Sequence, residues 1–546
     1  MKRVVFAAAG AATLVMIPAY ASAQAMAGMT MPMPAKPVMK AKAKAKAKAK
    51  AKANAPGRTV PPHKHSIART HASAGHAPRS AASPKPLPMP GMTMPMDHPS
   101  GQGMPMPASP APGGAMDHGA MGAMAMPMPA SPAPGGAMDH GAMGAMAMPM
   151  GGQSMPMSDH AMAMTGALGS YPMAREASGT AWQPDSSRDM ALRAMSGGWM
   201  LMAHGVLNLV ADSQSGPRGD DKGFISGMLM GMAQHPLGDG TLQLKAMLSP
   251  DPLMGPSGYP LLLASGETAN GSERLVDRQH PHDLFMELSA SASQPLGSKS
   301  SVFVYGGLPG EPAFGPPAFM HREAIMDSPE APITHHWLDS THISFGVLTA
   351  GLVLDRVKIE ASRFNAREPD QHRWDIETGP LDWTALRVSW NPTRTVALQG
   401  SWGRFIDPEQ LEPGLNQTRW SASALWADEI APDWRAAATL AWGRKSSQGH
   451  NDDGAAVEAS VQHAAWTVFG RGEAVENREL AAAGDGPAFR VGKISVGAIR
   501  DFRIASHLLA GVGGLASVDF VPGTLAPSYG GNHPTGAMGF VRVRLN

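Results

Sequence analysis

The chain has 546 residues, with 45 Lys or Arg against 44 Asp or Glu, 41 Met, 12 Trp and no Cys. Without cysteine it has neither disulfides nor thiolate ligands, so any soft-metal chemistry falls to Met and His. The near-neutral balance hides two opposed halves, for 24–165 holds 13 basic and 4 acidic residues while 166–546 holds 30 basic and 40 acidic.

The first element reads as a secretory signal. Lys2 and Arg3 precede an apolar run from Val4 to Ile17, followed by Pro18 and the small-residue site Ala21-Ser22-Ala23. The run is too short for a comfortable membrane anchor, which predicts cleavage before Gln24 and export from the cytoplasm. Beyond it no apolar run reaches the roughly 18 residues of a transmembrane helix, so a helical membrane protein is excluded.

Segment 24–165 is rich in Pro, Gly, Ala and Met and has no Trp, since every Trp lies at Trp182 or later. Such a composition does not bury enough surface to offset ordering entropy, so a disordered tail is expected. Lysine alternates with alanine from Lys40 to Lys52. That run is either a solvated spacer or an adhesive for anionic lipopolysaccharide or cell wall, and export removes nucleic acid as its partner.

Residues 104–125 and 126–147 are an identical duplication, MPMPASPAPGGAMDHGAMGAMA. Its repeated content is ligands. Met96-Asp97-His98, Met116-Asp117-His118 and Met138-Asp139-His140 recur, with Met157-Ser158-Asp159-His160 as a closing variant. Around them stand Met-Pro-Met pairs: Met94 with Met96, Met104 with Met106, Met126 with Met128, Met148 with Met150, and Met155 with Met157. Two Met-Gly-x-Met steps, Met121 to Met124 and Met143 to Met146, complete the set. Neutral thioethers suit Cu(I) or Ag(I), whereas imidazole with carboxylate suits Cu(II). In extended Met-x-Met the two sulfurs share a face about 6.6 Å apart, so a flexible chain closes several around one ion. Zinc gains little from a thioether.

A linker is expected over 166–198 and an all-β domain over 199–546. From Trp199 onward, short runs alternate apolar and polar at a period of two. Trp434, Leu440 and Trp442 oppose Arg435 and Thr439; Trp420, Ala422, Ala424 and Trp426 oppose Ser421 and Ser423. Val396, Leu398 and Trp402 likewise oppose Gln399 and Ser401, and Val357, Ile359 and Ala361 oppose Lys358, Glu360 and Ser362. One face suits lipid and the other a polar lumen, with Trp at both ends of the apolar strip as an aromatic girdle. Connections alternate long and short, the long ones including 445–453 and the short ones 500–502. This pattern predicts an antiparallel outer-membrane β-barrel of about 16 strands, within a range of about 12 to 18, with both ends of the barrel on the short-turn side. The last strand closes on Leu545-Asn546, whereas such barrels commonly finish on an aromatic residue.

Two long loops concentrate histidine: His280 and His282 in one, then His321, His335, His336 and His342 with Asp339 in the next. They are candidates to hold a divalent ion, the alternative being ordinary loop hydrogen bonding. No nucleophile elbow, metalloprotease helix or phosphate loop is present, and an enzyme is not expected.

The Met-Asp-His units at 96–98, 116–118 and 138–140, with the Met-Gly-x-Met steps, resemble those of the outer-membrane copper-resistance proteins of the B type. The resemblance implies copper sequestration at the outer membrane, a periplasmic tail, storage beside or export through the barrel, and partnership with a periplasmic multicopper oxidase. Over the barrel it is one of architecture. Two other readings stay open: a general porin with a metal-buffering or wall-attaching tail, and a soluble periplasmic metal-storage scaffold.

Overall fold

The computed structural model describes residues 165–365, 367–481 and 486–545. The tail candidates from Met94 to His160 lie outside the described residues, as does the disorder expected there. These include the Met-Asp-His units and the thioethers of Met121, Met124, Met143, Met146, Met148, Met150 and Met155.

The described chain forms a closed antiparallel barrel of 16 strands. A short strand β1 (Leu192–Ser196) makes a hairpin with β2 (Trp199–Gln214), which is followed around the wall by β3 (Asp221–Leu237) and β4 (Gly240–Leu248). An inner hairpin, β5 (Tyr259–Thr268) with β6 (Arg274–Gln279), forms its own two-stranded sheet. The wall resumes with β7 (Phe285–Gly297), β8 (Ser300–Gly307), β9 (Val347–Leu354), β10 (Val357–Phe364), β11 (Trp383–Trp390) and β12 (Val396–Ile406). It ends with β13 (Asn416–Ala431), β14 (Trp434–Ser447), β15 (His450–His463), β16 (Trp466–Asn477), β17 (Phe489–Ala505), β18 (Leu508–Phe520) and β19 (Thr535–Leu545). Pairing of β19 with β2, from Gly536↔Gln214 to Leu545↔Gly205, closes the ring. The expected strand number and the short-turn position of both barrel ends are what the structure has.

Two connections differ from expectation. Long loop 445–453 is a two-residue turn, Gln448-Gly449, both at positive φ (51° and 80°), as a tight hairpin of this hand requires. Its polar flanks extend the strands because Asp453 pairs with Arg444 at 2.8 Å and Asp452 with Arg478 at 2.9 Å. The turn expected at 500–502 lies instead between Ala505 and Leu508, because Asp501 stays in strand as a partner of Arg542 at 2.9 Å.

The two faces separate as the alternation predicts. Outward positions such as Leu209, Val304, Ile359, Leu386, Leu440, Val468, Val496 and Val541 are exposed, while Lys358, Glu360, Ser362, Arg387, Ser421, Thr439 and Ser460 are buried inside. Exposed Trp390, Trp434 and Trp466 lie by the short turns, and Trp420 and Trp442 further along the wall. This is an outer-membrane type of surface.

The lumen is filled. Segment 166–190, read from sequence as linker, packs inside the short-turn mouth, with Leu168, Tyr171 and Trp182 buried against Phe303 and Val353. Ser293 and Ser301 donate to the carbonyls of Ala167 and Leu168 at 2.6 Å, and Thr180 donates to Glu360 at 2.6 Å. From the other side, connections 249–284 and 308–346 fold inward, so that Leu261, Leu262, Leu263, Ile325 and Trp337 form a core with lumen-facing Phe224, Phe469, Ile499 and Phe540. Charged pairs rivet the second connection to the wall: Arg322 to Glu458 at 2.7 Å, Glu330 to Lys493 at 2.8 Å and to Arg471 at 3.4 Å, and Asp327 to Arg542 and Arg544. Buried charges are tolerable only when paired in this way.

Candidate metal centre

The inward connections contain single helical turns that set the histidines. Residues His335–Leu338 form α1, and a 3-10 turn covers Ser340–His342. The helix breaks at Asp339 (φ −143°), whose side chain turns back to His335 four residues before it while its carbonyl meets His342 in the following 3-10 turn. The wall fixes the start of this stretch, for Thr334 donates to Glu473 Oε1 from both its backbone N (2.9 Å) and its hydroxyl (2.7 Å). His282 arrives from connection 249–284, just past the inner hairpin. That hairpin holds Leu263, Glu267 and Asp277 at positive φ (71°, 52° and 57°), strained for side-chain-bearing residues. Asp277 stabilises the bend by accepting from Leu263 N at 2.8 Å.

One ring nitrogen each of His282, His335 and His342 lies within 4.8 Å of the other two. The Nδ1 atoms are otherwise engaged: His282 with Asp251 Oδ2 at 2.8 Å, His335 with Asp339 Oδ1 at 2.7 Å, and His342 with the Asp339 carbonyl at 2.8 Å. Carboxylates and carbonyls accept, so every Nδ1 donates and every Nε2 keeps its lone pair. The Nε2 atoms of His282 and His342 are buried with no hydrogen-bond partner. Unpartnered buried acceptors cost free energy that a cation shared between them would offset. Carboxylate- or carbonyl-oriented imidazoles are the usual second shell of a metal site.

The electrostatics agree with ligation by neutral imidazole. Burial pushes His335 below its ordinary range and His342 well below it, the neighbouring histidines adding to the fall for His342. Burial opposes ionisation of Asp339, yet Arg322, at 2.5 Å, and His335 hold its carboxyl below the usual range. Arg322 also grips Glu458 on β15, so the histidine frame is tied to the wall. The Phe319 ring flanks His282 and His335 at 6.4 and 5.8 Å between centroids.

Of the loop histidines proposed from sequence, His282, His335 and His342 meet here. The others do not share the centre. His280 stands beside it, 6.1 Å from the His335 ring, but its Nε2 faces Glu267 at 3.0 Å, and burial pushes it down to about 3. His336 Nδ1 is directed to Glu368 at 3.5 Å. His321 sits nearer the short-turn mouth, its ring 6.1 Å from that of His204. The concentration of histidine in the two long loops was the sequence signal for all three, and the His-x3-Asp-x2-His spacing could have singled out His335 and His342 with their orienting carboxylate.

No protein-family model and no curated protein matches the sequence. Among solved structures the chain is similar to OmpT of Vibrio cholerae (8% identity, TM-score 0.36, covering 65% of this chain and 100% of that one). It is similar also to an anion-selective porin from Comamonas acidovorans (11%, TM-score 0.37, 64% and 100%). A third is OmpF of Salmonella typhi in complex with daunomycin (12%, TM-score 0.41, 65% and 100%). The barrel of this chain is defined by its own strand pairing.

Proposed function

We propose that the protein is an outer-membrane barrel for transition-metal handling, copper foremost, which takes ions on its periplasmic tail and holds or passes them within a filled lumen. The observation that carries this reading is the convergence of His282, His335 and His342, each with Nδ1 anchored and Nε2 left as a ligand. Three imidazoles suit Cu(II), Zn(II), Ni(II) and related ions, and the thioethers of the tail repeats favour copper among these. The short-turn end, where both barrel termini lie, would face the periplasm. On this reading the tail ligands act in the same compartment, beside any lipopolysaccharide, wall or multicopper-oxidase partner that the Met-Asp-His resemblance implies.

Co(II) titration of the full chain in detergent tests the centre, because a protein-held ion gives ligand-field bands that weakly bound Co(II) lacks. One such equivalent is expected, lost in the variant His282→Ala/His335→Ala/His342→Ala. Identical spectra for the two proteins would remove the reading. A second reading, a solute channel with an accessory metal-buffering tail, is supported by the closed 16-stranded wall. Conductance in planar bilayers separates the two: a solute channel conducts alike with and without copper and with or without the three histidines.

A further inference from the structure

Methionine is distributed unevenly around the wall. Strands β8 to β18 contain none, whereas the neighbouring sector of β19, β2, β3, β4 and β7 carries Met538, Met200, Met202, Met228, Met230, Met232, Met247 and Met286. Met228, Met230 and Met232 alternate with outward Leu229 and with Gly231, and so occupy the parity that elsewhere in the barrel bears Ser, Thr, Gln or charge. Core filling does not require this, since leucine and valine serve the same purpose on the apolar side of the lumen.

These side chains are contiguous. Met228, Met230, Met247 and Met286 pack together with Ile343 and Phe345, and Met232 and Met320 pack against them. Met320 also touches the core that includes Phe319, next to His282. At the short-turn end the run opens into a cavity of about 110 Å³ lined by Met202, Met230, Met232, Met326, His204 and His321. The Nε2 atom of His321 is buried there without a hydrogen-bond partner. Lys245, also in the lining, is occupied by the Gly179 carbonyl at 2.9 Å and by Glu287 at 4.0 Å.

We propose that Met202, Met230, Met232, His204 and His321 form a second, thioether-rich site for a soft monovalent ion, Cu(I) or Ag(I). Met228, Met247, Met286 and Met320 lead from it toward the three-histidine centre. The carboxylates that line the same cavity are already engaged, Glu323 by Arg188 and Arg435, Glu176 by Leu168 N and the Tyr171 hydroxyl, and Asp189 by Arg193. This leaves thioether and imidazole donors, a set that matches such ions and disfavours hard cations. Thioethers bind weakly enough singly that an ion passes from one sulfur to the next. The proposal rests on the metal-handling reading and adds to it an entry site with a different ion preference.

Anomalous diffraction from crystals of the full chain grown with Ag(I), and separately with Co(II), tests it. Ag(I) is expected between Met230, Met232 and His321, and Co(II) at His282, His335 and His342. In Met230→Leu/Met232→Leu, which conserves volume and keeps the barrel intact, the Ag(I) peak should vanish while the Co(II) peak persists. A Co(II) peak without Ag(I) in the mouth cavity, or an Ag(I) peak that survives the double substitution, would overturn the second site and leave the metal-handling reading standing. Absence of both ions would remove both.

Discussion

The Nδ1 atom of His335 lies 2.7 Å from Oδ1 of Asp339, and the other oxygen of that carboxylate meets the Arg322 guanidinium at 2.5 Å. One side chain thus orients a ligand and anchors the inward connection. Asp339→Asn replaces an obligate acceptor by a group that can also donate, freeing His335 to take the other tautomer. Affinity for Co(II) or Cu(II) at the centre is expected to fall about 10- to 100-fold. Competition against a chelator of known affinity measures it.

The pair of Glu330 with Lys493 at 2.8 Å should hold the filled state of the lumen. Glu330→Gln leaves the Lys493 and Arg471 charges short of a buried partner, a change that costs about 3–5 kcal/mol when an ion pair is broken from one side. Loosening of connection 308–346 is expected, seen as larger conductance in planar bilayers and faster proteolysis within that connection. Unchanged conductance and proteolysis would show that the connection is held by its apolar contacts alone.

Glu311 supplies a pH dependence remote from the histidine centre. It is buried against Gly179, 3.8 Å from Arg387, and burial raises its carboxyl to about 7 despite that guanidinium. A folded-state value above the unfolded one means that its contribution is complete below about 4.3 and is lost as pH rises through about 7. Protection of the amides around Gly179, taken relative to their intrinsic exchange rates at each pH, should therefore fall between pH 5 and 8, and Glu311→Gln should flatten that trend.

Leu440 and Thr439 are adjacent on β14 and face opposite ways, the first exposed and the second buried. Leu440→Lys on a lipid-facing strip costs about 2–4 kcal/mol near the bilayer midplane. Denaturant unfolding from lipid vesicles should show this loss, whereas a water-facing Leu440, as in a soluble scaffold, would tolerate lysine freely.

For the tail, replacing Met94, Met96, Met104, Met106, Met116, Met126, Met128 and Met138 by Ser in the full chain should weaken Cu(I) binding more than Cu(II). Replacing His98, His118, His140 and His160 by Ala should do the reverse. Equal losses for both ions in both variants would dissociate the repeats from oxidation-state preference.

Much of the wall was legible because alternation is local: each of Trp434, Leu440 and Trp442 declares its face by parity alone. The misplaced connections share one cause. Asp452, Asp453 and Asp501 read as loop residues, yet each has an arginine partner, Arg478, Arg444 and Arg542, that keeps it in strand. The filled lumen was invisible for a related reason, since Trp182 and Leu261 gain their burial from strands distant in sequence. For the centre, the spacing of His335, Asp339 and His342 was readable, but His282 joins them only through the inward fold of two separate connections. The methionines of β3 carry no signal of their own, because methionine in a folded domain serves equally as filler and only strand pairing shows Met230 opposite Met247 of β4 and Met232 opposite Met202 of β2.

The strand that closes the ring is also the strand that grips its contents. Arg544 of β19 reaches Asp327 of the inward connection at 3.2 Å, Arg542 binds the same carboxylate, and the neighbouring residues of β19 pair with β2. Closure of the ring and retention of connection 308–346 thus share one eleven-residue strand, so that opening the β19–β2 seam would loosen the Asp327 ion pairs with it.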